Sequence, residues 1–128
     1  MIVAISTNGQ NLDGNVDSRF GRCGNFLLYD VTNSSIKVIE NAGQYEGHGA
    51  GVTAAQKLVD AGVNVVISGN IGPNAFDILR SANISMYAYI GTIRAALDLL
   101  RENRLETLTS PRKGPMSGVG KGRGVFKG

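Results

Sequence analysis

Residues 63–91 read VNVVISGNIGPNAFDILRSANISMYAYIG. Two short apolar runs rich in β-branched and aromatic residues, 63–69 and 84–91, have the character of buried strands. Between them, PNAFDILRSAN (73–83) opens on Pro73. Proline suits the first helical position, where its missing N–H has no helical partner in any case. The stretch closes on Asn83, which tolerates a left-handed cap. A strand, a helix and a second strand at this spacing imply parallel strands joined by a right-handed crossover.

The same grammar extends in both directions. GVTAAQKLVDAG (51–62) places Val52, Ala55, Leu58 and Val59 at helical spacing, with Gly62 as its stop. TIRAALDLLREN (92–103) offers Thr92 as N-cap and a core-facing stripe of Ile93, Ala96, Leu97 and Leu100. Upstream, MIVAIST (1–7) reads as a buried strand, and NFLLYDV (25–31) and SIKVIEN (35–41) form a hairpin around TNS. The element order is β-β-β-α-β-α-β-α. The expected fold is α/β, with a five-stranded mixed sheet, an antiparallel second strand and three helices.

Composition narrows the class. A chain of 128 residues suits one domain with a real core. No apolar run approaches the roughly 18–20 residues of a membrane span. The start has no charged segment typical of a signal peptide. The single cysteine excludes an internal disulfide and a CxxC zinc site. These features lead us to expect a soluble cytoplasmic protein. Residues 1–103 hold seven Lys/Arg and nine Asp/Glu, whereas 104–128 hold six Lys/Arg and one Glu. The net charge of +3 is therefore a property of the tail, and nucleic acid is not an expected partner. The reading is a domain over 1–106 and a glycine-rich, basic, disordered tail over 107–128.

Topology gathers the chemistry. If the first strand runs up, the third, fourth and fifth run up as well. Their following loops share the carboxyl edge of the sheet, where open α/β proteins take ligands. The loop at 8–25 is far longer than the usual connection of about 4–6 residues and carries Arg19, Phe20, Gly21, Arg22 and Cys23. The loop at 42–51 holds His48, the only histidine, between Gly47 and Gly49, with Gly51 and Tyr45 near it. GNIGP (69–73) contributes Gly69 and Gly72, and GT (91–92) completes the edge. The last three loops each open a helix, so the expected pocket has three helix N-termini, two arginines, one imidazole and one thiol. The first two features suit anions, and the last two suit a soft or borderline metal.

Plainer readings stand beside these. The arginines are either solvated, paired with Asp17, or aimed at an anion. Cys23 is either a small buried hydrophobe or, beside Arg22 and flanking glycines, an exposed thiol of lowered pKa. The glycines of GNIGP serve a turn as well as they serve a ligand. Several enzyme classes lack their residues: there is no GxSxG, no GxxxxGK[ST], and no carboxylate on the first strand for paired-metal nuclease chemistry. One cysteine and one histidine do not enclose an iron–sulfur cluster by themselves. A preassembled cluster gripped at one or two positions is compatible with them.

The motifs SRFGRCGNFLLYDV, HGAG and GNIGPNAF, in that order between MIVAIS and a GT-x-x-AL helix, resemble the dinitrogenase iron–molybdenum cofactor biosynthesis family. That family includes NifX, NafY and the carboxy-terminal domain of NifB. The resemblance spans roughly residues 1–106. It implies a ribonuclease-H-like fold with strand order 3-2-1-4-5, and non-enzymatic binding or carriage of an iron–sulfur or iron–molybdenum cluster or its precursor. It further implies cluster-assembly or acceptor proteins as partners. By resemblance His48 is the candidate metal ligand, Arg19 to Arg22 match the RFGR motif, and Cys23 follows that motif. A small-anion module for phosphate or nucleotide is the alternative function, and a nuclease-like enzyme is the third.

Overall fold

The structure is a computed structural model that describes residues 1–45 and 47–111. Six strands form one sheet in the order β3-β2-β1-β4-β5-β6. They are β1 (Ile2–Thr7), β2 (Asn25–Asp30), β3 (Ser35–Glu40), β4 (Val65–Ser68), β5 (Ser85–Ala88) and β6 (Glu106–Thr107). Three helices, α1 (Ala50–Asp60), α2 (Pro73–Ser81) and α3 (Ile93–Arg101), complete the α/β fold. β2 is antiparallel to β1 and β3, while β1, β4 and β5 run parallel. The expected order 3-2-1-4-5 is thus present within a larger sheet.

The five-strand expectation is corrected by β6, which pairs antiparallel with β5 through Tyr87–Thr107 and Ala88–Glu106. Two residues are too few to show a period-2 pattern. What holds them is the hydrogen bond from Leu108 N to Met86 O at 2.8 Å and the burial of the Leu108 side chain. The body therefore packs through Leu108. The disorder expected of the tail falls almost wholly on residues outside those described.

Alternation along the strands explains the layers. In β1, Val3 and Ile5 face one side and Ala4 the other; Val65 and Ile67 divide from Val66 in the same way. The Ala4 side packs against α1 and α2 through Ala54, Leu58, Phe76 and Leu79. The Val3 side packs against α3 through Ile93, Ala96 and Leu97. Both faces of the central strands are covered, so their sequences are continuous apolar runs. Burying a side chain as fully as Leu58 stabilises by roughly 1.5–3 kcal/mol.

Each helix ends on a left-handed residue: Gly62 (φ 76°), Asn83 (φ 61°) and Asn103 (φ 61°). Reversal at those points returns the chain to the next strand. All three helices therefore begin at the carboxyl edge of the sheet, and α1 and α2 begin side by side on one face.

Candidate functional site

The long loop between β1 and β2 is folded down onto the sheet. Isolated bridges join Thr7 to Val16, Asn15 to Thr92 and Arg19 to Asn70. Asp17 N donates to Ser6 O at 2.7 Å, and Asp17 O accepts from Ser6 Oγ at 2.8 Å. The buried Ser6 and Ser68 hydroxyls pair at 2.8 Å beneath it. The gap between β1 and β4 is the switch point where connections diverge and ligands usually enter. Here the chain fills that crevice itself. The starts of α1 and α2 lie farther out on the same edge.

The glycines divide by role. A Cβ on Gly21 would lie 2.7 Å from Gly51 N, so the RFGR turn touches the first turn of α1 through bare backbone. A Cβ on Gly69 would lie 2.6 Å from Ser18 Cα. Both are closely packed, and glycine there serves the fold. Gly49 precedes α1 with φ 78°, a conformation glycine adopts without strain. A Cβ on Gly51 would meet only Ala75 Cβ, at 3.4 Å, and one on Gly72 would meet nothing within 4 Å. Gly72 has φ −72°, open to any residue, so neither packing nor dihedral requires glycine there.

The helix starts also differ. Thr92 caps α3 by accepting from Ala95 N at 3.1 Å. Ile93 N and Arg94 N donate to Gly14 O and Leu12 O, both at 2.9 Å. The expectation of three open helix N-termini is therefore corrected to two, because the long loop occupies the donors of α3. Gly49 and Gly72 provide no side-chain cap for α1 and α2. Among the described residues no acceptor takes the N–H groups of Gly51, Val52, Asn74 or Ala75. The two first turns are adjacent, since a Cβ on Gly51 would lie 3.4 Å from Ala75 Cβ, and a helix start carries a partial positive charge.

Arg19 is 60% exposed but bound to Asp17, whose side chain is 7% exposed. The carboxylate accepts from Arg19 N (2.8 Å), Nε (3.1 Å) and Nη2 (3.0 Å), and from Asn8 Nδ2 at 2.6 Å. Burial alone would raise the Asp17 pKa, but these hydrogen bonds and the guanidinium charge outweigh it and hold it below its ordinary value. The same pairing raises Arg19. The charge Arg19 could offer an anion is thus offset by a permanent partner.

Cys23 is corrected most sharply. The thiol is fully buried among core residues and donates to Phe20 O at 3.4 Å. Burial pushes its pKa up to about 12, so it is a neutral thiol at physiological pH. The adjacent Arg22 does not acidify it, because Cys23 faces the core and Arg22 the surface. Phe20 is also core, 2% exposed, with its ring 5.2 Å from that of Phe26. It anchors the RFGR turn and does not line a surface site.

His48 is exposed, two residues before α1, and its imidazole has no hydrogen-bond partner among the described residues. Arg22 reaches into the same loop, donating to Gln44 O at 3.0 Å and Gly47 O at 3.3 Å. Beside it an open groove of about 520 Å³ is lined by Gln10, Gly24, Asn25, Gln44 and Tyr45, with Val38 and Glu40 at the end of β3. Tyr45, 80% exposed, stands at this rim. Among the described residues no three His, Cys, Asp or Glu side chains gather into a set that could hold a metal ion. No helix among them is long and apolar enough to cross a membrane.

A family model described as dinitrogenase iron-molybdenum cofactor matches residues 1–103. The chain belongs to that family. An uncharacterised protein of Methanocaldococcus jannaschii is 35% identical over 100 residues, covering 74% of this chain and 85% of its own. The apo form of the orange protein from Desulfovibrio gigas superposes with a TM-score of 0.84 at 34% identity, covering 88% of this chain and 96% of that one. A candidate NifB protein from Thermotoga superposes at 0.77 with 38% identity, covering 88% and 98%.

One residue at the site went unnoticed in the sequence. Asn41 is 1% exposed and donates from Nδ2 to Gly21 O (3.0 Å) and Cys23 O (2.9 Å). In the sequence it reads as the last residue of the run 35–41. An asparagine before a glycine loop looks like a turn residue, and only its burial shows that it ties two loops together.

Proposed function

We propose that this protein binds and carries an anionic metal–sulfur cluster, of iron–sulfur or iron–molybdenum type, or its precursor, without catalysing a reaction on it. The cargo sits at the carboxyl edge, over the open starts of α1 and α2. The observation that carries this reading is the contrast among the helix starts: α3 is capped and occupied, while α1 and α2 present free N–H groups beside the one exposed imidazole. The N–H groups and dipoles stabilise negative charge. His48, as neutral imidazole, supplies a single metal bond. Gly51 and Gly72 leave room for a bulky cargo against the backbone. One protein ligand plus charge gives a hold that a receiving protein can break, as carriage requires. Family membership and likeness to an apo form support the same reading. Cluster-assembly or acceptor proteins are the partners it requires.

The test is anaerobic reconstitution with ferrous iron and sulfide, followed by visible absorption. The parent should take up the chromophore and His48→Ala should lose it. Equal loading of the two would remove His48 as a ligand. Thermal stabilisation by phosphate in the presence of chelator, with no chromophore formed, would instead identify a small-anion module.

A further inference from the structure

We infer that Arg22 is a positioning residue: its guanidinium holds the backbone carbonyls of Gln44 and Gly47 and thereby sets where His48 stands. This rests on the reading of His48 as the metal-binding group. The two arginines of RFGR look equivalent in sequence, yet the structure separates them. Arg19 pairs with the Asp17 carboxylate, and the bonds of Arg22 include those from Nη1 and Nη2 to two main-chain carbonyls, Gln44 O and Gly47 O. Gly47 immediately precedes His48, so the second bond acts one peptide from the imidazole.

The loop needs such a clamp. His48 lies between two glycines, Gly47 and Gly49, and a Cβ on Gly47 would touch nothing within 4 Å. Without an external hold this stretch has large backbone freedom. The other end of the connection is stapled as well. Gln44 Nε2 donates to Gly24 O (3.2 Å) and Asn41 O (3.0 Å), and Asn41 fixes the Gly21–Cys23 turn from which Arg22 projects. Guanidinium suits the task because its rigid planar fork presents separate donors to two acceptors, whereas a lysine ammonium is a compact point on a flexible stem.

The first arm of the test needs no metal. Gly47 and His48 amide order parameters are measured in the parent, Arg22→Gln, Arg22→Lys and Gln44→Ala. Clamping predicts a fall from about 0.85 toward below about 0.6 in both arginine variants, and a smaller fall in Gln44→Ala. Because His48 is the only histidine, its ring signals report the same change without ambiguity.

The second arm is iron–sulfide loading. Arg22→Gln and Arg22→Lys should each weaken loading by about tenfold, the scale of a lost charge-assisted hydrogen bond. Full loading of Arg22→Lys would show that Arg22 contributes charge and would overturn the inference. Unchanged order parameters would overturn it as well. If His48→Ala loads normally, the metal-ligand reading fails, and the metal-free arm still decides the clamp. Gln44→Ala and Arg22→Lys keep the test open if Arg22→Gln folds poorly.

Discussion

Raising the pH should destabilise this protein through one buried thiol. Cys23 is fully buried, and burial lifts its pKa from 9.0 to about 12 against weaker opposing hydrogen bonds from Thr7 and Asn41. In the unfolded chain the thiol ionises near its ordinary value. Between the two values the unfolded state has released a proton that the folded state keeps. The folded pKa is the raised one, so the stabilisation is whole below the unfolded pKa and is lost as pH climbs toward the folded one. At pH 10.5, about 1.5 units above 9.0, the loss is about 2 kcal/mol at roughly 1.4 kcal/mol per unit. The assay is urea unfolding of the parent and Cys23→Ala at pH 7 and 10.5. Comparison with the variant cancels every ionisation the two proteins share. Cys23→Ala starts lower at pH 7 because it loses packing, so the quantity compared is each protein's fall between the two pH values. The parent should fall about 2 kcal/mol further than the variant. Equal falls would mean that the thiol is not buried and neutral in the folded protein, and would restore it as an accessible ligand.

Four further outcomes follow from the same geometry. Gly72→Ala should leave stability within about 0.5 kcal/mol of the parent while lowering cluster loading, since the added methyl meets no protein atom. Gly21→Ala should cost about 1–3 kcal/mol in denaturant unfolding, because its Cβ would press on the α1 backbone. Unaltered loading of Gly72→Ala would place the cargo elsewhere. Asp17→Asn should lose on the order of 1 kcal/mol at neutral pH, a modest figure because Arg19 is largely exposed. The Asp17 pKa is depressed on folding, so its contribution is present above the ordinary carboxylate range and lost as pH falls through the folded value. Acid titration of stability should therefore be shallower in the variant. Thr92→Ala should cost about 1 kcal/mol by removing the α3 cap, and should leave loading unchanged because that helix start is already occupied.

Much of the architecture was legible because it rests on local patterns. The apolar runs at β1 and β4, Pro73 opening α2, Thr92 capping α3, and Gly62 and Asn83 closing their helices are all signals carried by one or two residues. The parallel βαβ grammar then places the starts of α1 and α2 at one edge. β6 escaped notice because two residues have no periodicity, and its place depends on Leu108 packing into the core beside β5.

The site was legible in its members but not in their roles. The sequence by itself determined that RFGR, HGAG and GNIGP converge at the carboxyl edge, since strand direction follows from connection length. Only the tertiary structure decided what each residue does there. Whether Cys23 faces solvent or core, whether Arg19 meets Asp17 or a ligand, and whether the donors of α3 stay open depend on how the loop between β1 and β2, residues 8–24, folds back across the sheet. That path is set by contacts between residues far apart in the chain, such as Asn70 with Ser18, Asn41 with Gly21, and Thr92 with Asn15. Local propensity has no access to such pairs, because each side chain's hydrogen-bond partner exists only once both strands and both loops are in place.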